Sequence, residues 1–225
     1  VKKAGLTFAP ESADPGVIKA IAKDIDKDVL LKSVKAAFEK SWRAVKLYFM
    51  VGFPQSPDGE EKSIVELAKK VSSMRGGRPR DAAEVSLSVN PFIPKPHTPF
   101  QWYGMKSRAE LEEKRKRLLS LCGPERKIKI SFHNVEQSLL EGALARGDRR
   151  VSSAVYSAWK KGAMMDGWTE SFKPGVWDEA FSENGLSVEA MATRSFGVDD
   201  PLPWGHIDSG AGADFLKKEF IDSLP

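Results

Sequence analysis

The pattern of apolar and polar positions predicts four β-strands and a series of amphipathic helices. The most apolar stretch, residues 46–55, has the length of a strand, is rich in aromatic and β-branched residues, and is interrupted by Gly52 and Pro54. Such a run predicts a strand buried on both faces, as parallel strands covered by helices are. Apolar residues at helical spacing follow it, with Asp58 and Glu61 placed to form a capping box at the helix start.

Alternating strands and helices extend over the first 133 residues. Three further strands are predicted at residues 4–9, 84–89 and 127–132, and amphipathic helices separate them. Strands that alternate with helices favour right-handed parallel crossovers, so the predicted fold class is α/β with a parallel sheet. The loops that follow the strands then gather at one edge of the sheet, where such folds bind their ligands.

The strand pattern stops near residue 134, which predicts a domain boundary between residues 1–133 and residues 134–225. Helices are predicted in the second part at about residues 135–146, 150–163, 175–184 and 212–221. Four tryptophans of this part predict a packed aromatic cluster rather than a disordered tail. They are Trp159, Trp168, Trp177 and Trp204.

Composition narrows the class of protein. The single cysteine, Cys122, excludes a disulfide framework and indicates a reducing compartment such as the cytoplasm. No apolar run approaches the ~20 residues of a membrane span, so no membrane partner is predicted. Residues 1–150 carry 29 Lys and Arg against 19 Asp and Glu, whereas residues 151–225 carry 6 against 12. This asymmetry fits either two solvated surfaces of opposite sign or a polyanion such as RNA on the basic part.

Side chains that follow the predicted strands form a convergent set of candidate binding groups. The set holds a carboxylate, a hydroxyl, two amides and a histidine, and its glycine and prolines leave the backbone accessible. Such a set suits a polar small molecule with an aromatic or apolar part. Each member also has a structural alternative, such as a helix-terminus partner for the carboxylate and a simple turn for the glycine. The set consists of residues 10–12, 52–55, 90–94 and 133–134, which include Glu11, Ser12, Gly52, Phe53, Pro54, Pro91, Phe92, Pro94 and His133.

Two histidines are the catalytic candidates. His97 lies in a proline-rich stretch and His133 follows the fourth predicted strand. Their structural alternatives are a rigid packing role for His97 and a strand-end hydrogen bond for His133, and His206 is interpreted as structural. No metal site is predicted, because the three histidines and the cysteine lie far apart without ligand spacing. The charged run at residues 146–150 fits a turn between two helices about as well as a phosphate site.

Several motifs, taken in order, resemble the second half of a radical S-adenosylmethionine (SAM) domain. They are LTFAPES at 6–12, KLYFMVGFP at 46–54, NPFIPKPHTPFQW at 90–102, ARGDRR at 145–150, DGW at 166–168 and PLPWGHID at 201–208. The resemblance is to a bacterial and plastid family whose full-length members carry a B12-binding-type domain ahead of the radical SAM domain. It covers nearly the whole chain.

This resemblance implies the C-terminal half of a partial (β/α)6 barrel, followed by a mostly helical, family-specific region. It implies an enzyme that binds SAM on a [4Fe-4S] cluster for radical modification of a substrate, in the cytoplasm or the plastid stroma, with cobalamin a further cofactor of the full-length family. The chain has Ala13 where the family commonly has glycine, which leaves the role of Ser12 open. The residues implied to contact SAM are Glu11, Ser12, Gly52, Phe53, Pro54, Pro91, Phe92 and Pro94.

The cluster-binding Cys-x3-Cys-x2-Cys motif of that family is absent, since Cys122 is the only cysteine. One thiolate cannot hold such a cluster, so we expect neither a cluster nor SAM cleavage from this chain alone. Two hypotheses follow: part of a radical SAM enzyme completed by an N-terminal barrel half or a partner subunit, or a non-catalytic binding module or split-gene subunit. Without such a partner, the strand at residues 4–9 would expose an uncovered edge. The substrate is left open, with RNA favoured by the basic first part.

Overall fold

Four parallel strands form one sheet in the order in which they occur along the chain. The computed structural model describes residues 5–23, 26–76, 82–123 and 125–223. Within them, the strands are β1 (Leu6–Glu11), β2 (Ala44–Val51), β3 (Glu84–Pro91) and β4 (Ile128–Phe132). Every pairing is parallel, so the predicted α/β class and parallel sheet are confirmed. Residue 4, the first of the predicted strand at 4–9, lies outside the described residues.

Helices separate the strands and make up most of the chain after β4. In the described residues they are α1 (Pro15–Ala20), α2 (Lys27–Glu39), α3 (Glu60–Ser73), α4 (Arg108–Cys122), α5 (Val135–Arg146), α6 (Val151–Lys160), α7 (Pro174–Glu183), α8 (Val188–Thr193) and α9 (Ala213–Asp222). The helix α8 is not predicted from the sequence, because it is too short to show helical periodicity. None of these helices is long and apolar enough to cross a membrane.

Capping residues explain some helix starts but not that of α3. Asp14 begins α1, where its carboxylate accepts a hydrogen bond from the Val17 N–H at 3.0 Å. The capping box predicted from Asp58 and Glu61 is wrong. The N-cap of α3 is Gly59, in the left-handed region at φ 80°, and it makes no side-chain cap. Glu61 is buried in the protein instead.

The helices α2, α3 and α4 pack on one face of the sheet. Along β2 buried residues alternate with partly exposed ones, and the buried set is Val45, Leu47, Phe49 and Val51. These residues form one core with apolar side chains of α2, α3 and α4. The prediction that residues 46–55 are buried on both faces is wrong, because the intervening side chains of β2 remain partly exposed.

The chain divides into two compact units. The first is Val1–Pro91 with Glu112–His133, and the second is Phe92–Leu111 with Asn134–Pro225. The predicted boundary at residue 134 is one of the points where the chain passes from one unit to the other, and residues 92–111 belong to the second unit. The first unit carries 23 Lys and Arg against 15 Asp and Glu, and the second carries 12 against 16. The basic charge is therefore concentrated in the unit that contains the sheet.

The second unit has an aromatic core of its own. Trp102 packs against Phe220 with ring centroids 5.0 Å apart, and Phe196 meets Trp204 edge to face at 5.6 Å. Leu216 completes this cluster. Edge-to-face and tilted ring pairs of this kind stabilise a core beyond the area that they bury.

The predicted cluster of four tryptophans is wrong. Trp204 belongs to the aromatic core of the second unit, but Trp177 packs against Phe181 of its own helix. Trp159 and Trp168 are exposed. The buried face of α6 is formed by small residues rather than by its tryptophan, which leaves that ring at the surface.

Candidate functional site

The carboxyl end of β1 is an irregular turn that holds Glu11 and Ser12. The pairing of β1 with β2 shifts between Phe8 and Glu11, and Glu11 has φ 64°, a conformation that few non-glycine residues adopt. Its carboxylate accepts a hydrogen bond from Lys23 Nζ. Ser12 is buried, and its Oγ accepts a hydrogen bond from the Asp14 N–H at 3.1 Å. The turn thus places a carboxylate and a hydroxyl side by side at the end of the sheet.

A cavity of about 600 Å³ adjoins this turn within the first unit. Its wall contains the polar residues Ser12, Asp14 and Lys23 together with the apolar residues Ile18 and Leu30. A volume of this size with a mostly apolar wall and a few polar groups suits a small molecule.

The turn after β2 is held by a buried carboxylate. Gly52 has φ 85°, which glycine adopts without strain, and its N–H donates to Glu60 Oε1 at 2.9 Å. The hydroxyl of Ser56 donates to Glu60 Oε2 at 2.6 Å. Phe53 is buried and Pro54 is half-buried. The start of α3 therefore fixes the conformation of this turn through one side chain.

A buried cluster of charges, which is not predicted from the sequence, adjoins this turn. Glu60 and Glu61 are 3% and 1% exposed, and Lys114 Nζ lies 2.7 Å from Glu60 Oε1 and 3.1 Å from Glu61 Oε1. Glu61 Oε2 is buried without a hydrogen-bond partner among the described residues. Burial acts to lower the pKa of Lys114, but the hydrogen bonds and charges of both glutamates outweigh it and raise the pKa. The only signal in the sequence is that Glu61 falls on the apolar stripe of α3.

The other face of the sheet is polar and partly exposed. Thr7, Lys46, Ser86 and Lys129 pair side by side across the four strands, and none of them is buried. Lys46 Nζ lies 4.6 Å from the ring centroid of Tyr48, which is on the same face. Parallel sheets usually bury both faces. An exposed polar face is therefore a candidate binding surface.

His133 lies at the carboxyl end of this polar face. Its N–H donates to the Val89 carbonyl at 2.8 Å, which continues the pairing of β3 and β4 by one residue. Asn90 pairs with Met50 on the neighbouring strands, and the His133 side chain is exposed. A chemical role for His133 stays a prediction.

The remaining residues implied to contact SAM lie where the chain enters the second unit. Pro91 is the last residue of β3 and belongs to the first unit. Phe92 and Pro94 belong to the second unit. Phe92 packs edge-on against Phe100 with centroids 5.2 Å apart, and Pro94 is buried. The predicted SAM contacts are thus divided between the two units.

A tight turn in the second unit positions His97. Its φ is 57°, and its N–H donates to Gln101 Oε1 at 3.1 Å. The same oxygen accepts a hydrogen bond from Trp204 Nε1 at 2.7 Å. His97 and His206 line one cavity of about 500 Å³, so the structure brings together two histidines that are far apart in the sequence. Charged residues of its wall are Asp199, Asp200, Asp208 and Lys217.

The helix α5 ends in a buried arginine. Arg146 is 2% exposed, and its guanidinium donates to the carbonyls of Arg194 at 2.6 Å and Gln101 at 3.4 Å. It lies 5.4 Å from the ring centroid of Phe196 and 6.0 Å from that of Trp204. Burial lowers the pKa of Arg146 to about 10. No carboxylate pairs with it among the described residues, so its contacts are with carbonyls and aromatic rings.

Cys122 does not fit a cluster ligand. It is a free, buried thiol in the core of the first unit, and burial raises its pKa. In the part of the chain that the structure describes, no three His, Cys, Asp or Glu side chains are grouped so that they could hold a metal ion. A [4Fe-4S] cluster is held by several cysteine thiolates, so these residues do not fit one.

We expect Cys122 to react slowly with iodoacetamide in the native protein. The thiolate is the reacting form, and both burial and a raised pKa reduce its access and its population. Alkylation followed by mass spectrometry at about pH 8 should be at least ~10-fold slower than in urea-unfolded protein. Equal rates in the two states would contradict the burial of this thiol.

The chain is similar to an uncharacterized archaeal protein. It is 30% identical over 188 residues to MJ0966 of Methanocaldococcus jannaschii, an alignment that covers 79% of this chain and 40% of that protein. The chain therefore spans less than half the length of this relative. No family model matches the chain, and no solved structure matches it.

Proposed function

We propose that this chain is the C-terminal half of a radical SAM barrel and binds SAM at the carboxyl edge of its sheet. The observation that carries the proposal is the sequential strand order from β1 to β4, with α2, α3 and α4 packed on one face. Sequential order with helices on one face is the arrangement of a β/α barrel. Doubly wound sheets instead reverse the strand order and carry helices on both faces.

The polar face of the sheet supports the same proposal, since the inner face of a barrel is enclosed by its other strands. Within the described residues β1 and β4 each pair on one side only. Unpaired strand edges invite association. An N-terminal half, as a preceding segment or a partner subunit, would pair with the free edge of β1 and enclose the polar face.

The groups at the carboxyl edge suit SAM chemically. The Glu11 carboxylate and the Ser12 hydroxyl are of the types that bind ribose hydroxyls and an ammonium group. Gly52 has no Cβ, so a flat ring can approach its backbone closely. Bound to a reduced cluster, SAM supplies a 5′-deoxyadenosyl radical. Since Cys122 cannot hold the cluster, the thiolates that ligate the cluster would come from outside this chain. The residues at the carboxyl edge of the sheet would hold and orient SAM.

The proposal is tested with S-adenosylhomocysteine, which keeps the adenosyl group without being cleaved. We expect calorimetric titration to show binding when the chain is joined to an N-terminal half, and Glu11→Gln and Ser12→Ala to weaken it about tenfold each, because each removes one polar contact.

The matched control is Glu39→Gln, which neutralises an exposed carboxylate on α2. It should leave the affinity unchanged. If Glu11→Gln and Ser12→Ala bind as tightly as the unmodified protein while their circular dichroism is intact, the assignment of this edge to SAM is wrong.

A further inference from the structure

We propose that one exposed face of α6 binds single-stranded nucleic acid. This aromatic–cationic face consists of Arg149, Ser153, Tyr156, Trp159 and Lys160, all of them exposed. Arg149, Ser153 and Tyr156 follow one another at steps of four and three residues, and Trp159 and Lys160 lie three and four residues beyond Tyr156. All five therefore share one side of the helix and of the turn before it. The inference does not depend on the proposed function.

Two aromatic rings form the centre of this face. Tyr156 and Trp159 are 54% and 57% exposed, and their rings stack with centroids 5.7 Å apart at an interplanar angle of 25°. Large aromatic side chains exposed side by side indicate an interaction site. Exposed rings are also the surface on which proteins stack unpaired bases.

The charge of this face favours a polyanion. α6 contains no acidic residue, and Arg149 and Lys160 have no carboxylate partner within the described residues. Their neighbours Arg150 and Lys161 are by contrast neutralised by ion pairs. Arg149 and Lys160 lie at opposite ends of the face, about 16 Å apart along the helix axis. A phosphate backbone lying along the helix would therefore meet one cation at each end.

The cation beside Tyr156 completes the arrangement. Lys160 Nζ lies 4.4 Å from the Tyr156 ring centroid, which restrains the ring through a cation–π contact. Met164, Met165 and Trp168 follow α6 and are also exposed. A protein partner would favour that apolar turn. Val155 is exposed one helical turn before Trp159, but Arg149, Ser153 and Lys160 lie on the same side as the rings and match bases and phosphates better.

The test is fluorescence anisotropy with labelled single-stranded RNA of about 12 nucleotides, at salt concentrations from about 50 mM upward. Tyr156→Ala and Trp159→Ala should each weaken binding about tenfold, because each removes a stacking surface. Arg149→Gln and Lys160→Gln should each reduce the slope of log K against log salt by about one. The aromatic variants should leave that slope unchanged.

Matched controls lie on α9. Phe215→Ala removes another exposed ring and Lys218→Gln another exposed cation, and neither should change the affinity. All these side chains are exposed, so the variants are expected to fold.

Three results would overturn the proposal. The first is RNA binding by the double variant Tyr156→Ala/Trp159→Ala that is as tight as that of the unmodified protein, or no RNA binding by the unmodified protein. The second is equal affinity for the RNA duplex of the same sequence. The third is sedimentation that shows self-association of the unmodified protein and its loss in Trp159→Ala, which would assign the face to a second copy of the chain.

Discussion

Replacing Lys114 with methionine is expected to destabilise the first unit by about 3–5 kcal/mol. Methionine keeps most of the volume of the side chain but removes the cation that contacts Glu60 and Glu61. Both carboxylates are buried, and a buried charge without a partner is far more costly than a buried pair. Urea denaturation followed by far-ultraviolet circular dichroism measures the loss.

The stabilisation by this ion pair should also depend on pH in the alkaline range. Because the glutamates raise the pKa of Lys114 in the folded state, the unfolded chain releases this proton at a lower pH than the folded protein does. The stabilisation is therefore complete below the unfolded pKa of about 10.4 and declines as the pH rises through the folded value. The difference between the unmodified protein and Lys114→Met should be constant around neutral pH and shrink above about pH 10.4.

A lysine on the same helix is the control. Lys116 is exposed, and Lys116→Met should change stability by no more than about 0.5 kcal/mol. Adding Glu61→Gln to Lys114→Met should recover part of the lost stability, because it removes one of the uncompensated charges. Equal stability of Lys114→Met and Lys116→Met would mean that the two glutamates do not depend on Lys114.

Replacing Arg146 with alanine is expected to destabilise the second unit by about 3 kcal/mol. The change leaves the carbonyls of Gln101 and Arg194 without their donor. It also opens a cavity beside Phe196 and Trp204, on which the guanidinium packs. Near-ultraviolet circular dichroism during denaturation reports on the packing of these rings.

Two further variants separate the causes. Arg146→Lys keeps a charge but cannot reach two carbonyls with one planar group. Its stability should therefore fall between that of the unmodified protein and that of Arg146→Ala. Arg149→Ala, at an exposed position three residues away, should change the free energy of unfolding by no more than about 0.5 kcal/mol. A fully stable Arg146→Ala would show that water or a neighbouring donor replaces the guanidinium.

The sheet illustrates how far periodicity alone leads. Alternating and continuous apolar runs were enough to predict four strands and their α/β arrangement, because these features depend on residues that are close in the sequence. Periodicity could not decide how many faces of β2 are buried. That outcome depends on which helices pack against the strand, and the run at residues 46–55 is compatible with one covered face or two.

The candidate site shows the same division. Glu11, Ser12 and Gly52 could be predicted as residues that follow strands, since the ends of parallel strands meet at one edge. The partners that hold them could not. Lys114 reaches the glutamates of α3 from a helix that lies beyond the next strand. Its charge at that position is no different in the sequence from that of exposed Lys116.

The sequence by itself determined where the four strands and most of the helices form, since hydrophobic periodicity acts over a few residues. Only the tertiary structure decided which charged and aromatic side chains are buried. Glu61 and Arg146 are inside, whereas Trp159 is exposed, the reverse of what residue type predicts. Burial is a property of the surroundings of a side chain, and in this protein those surroundings are built by elements far apart in the chain.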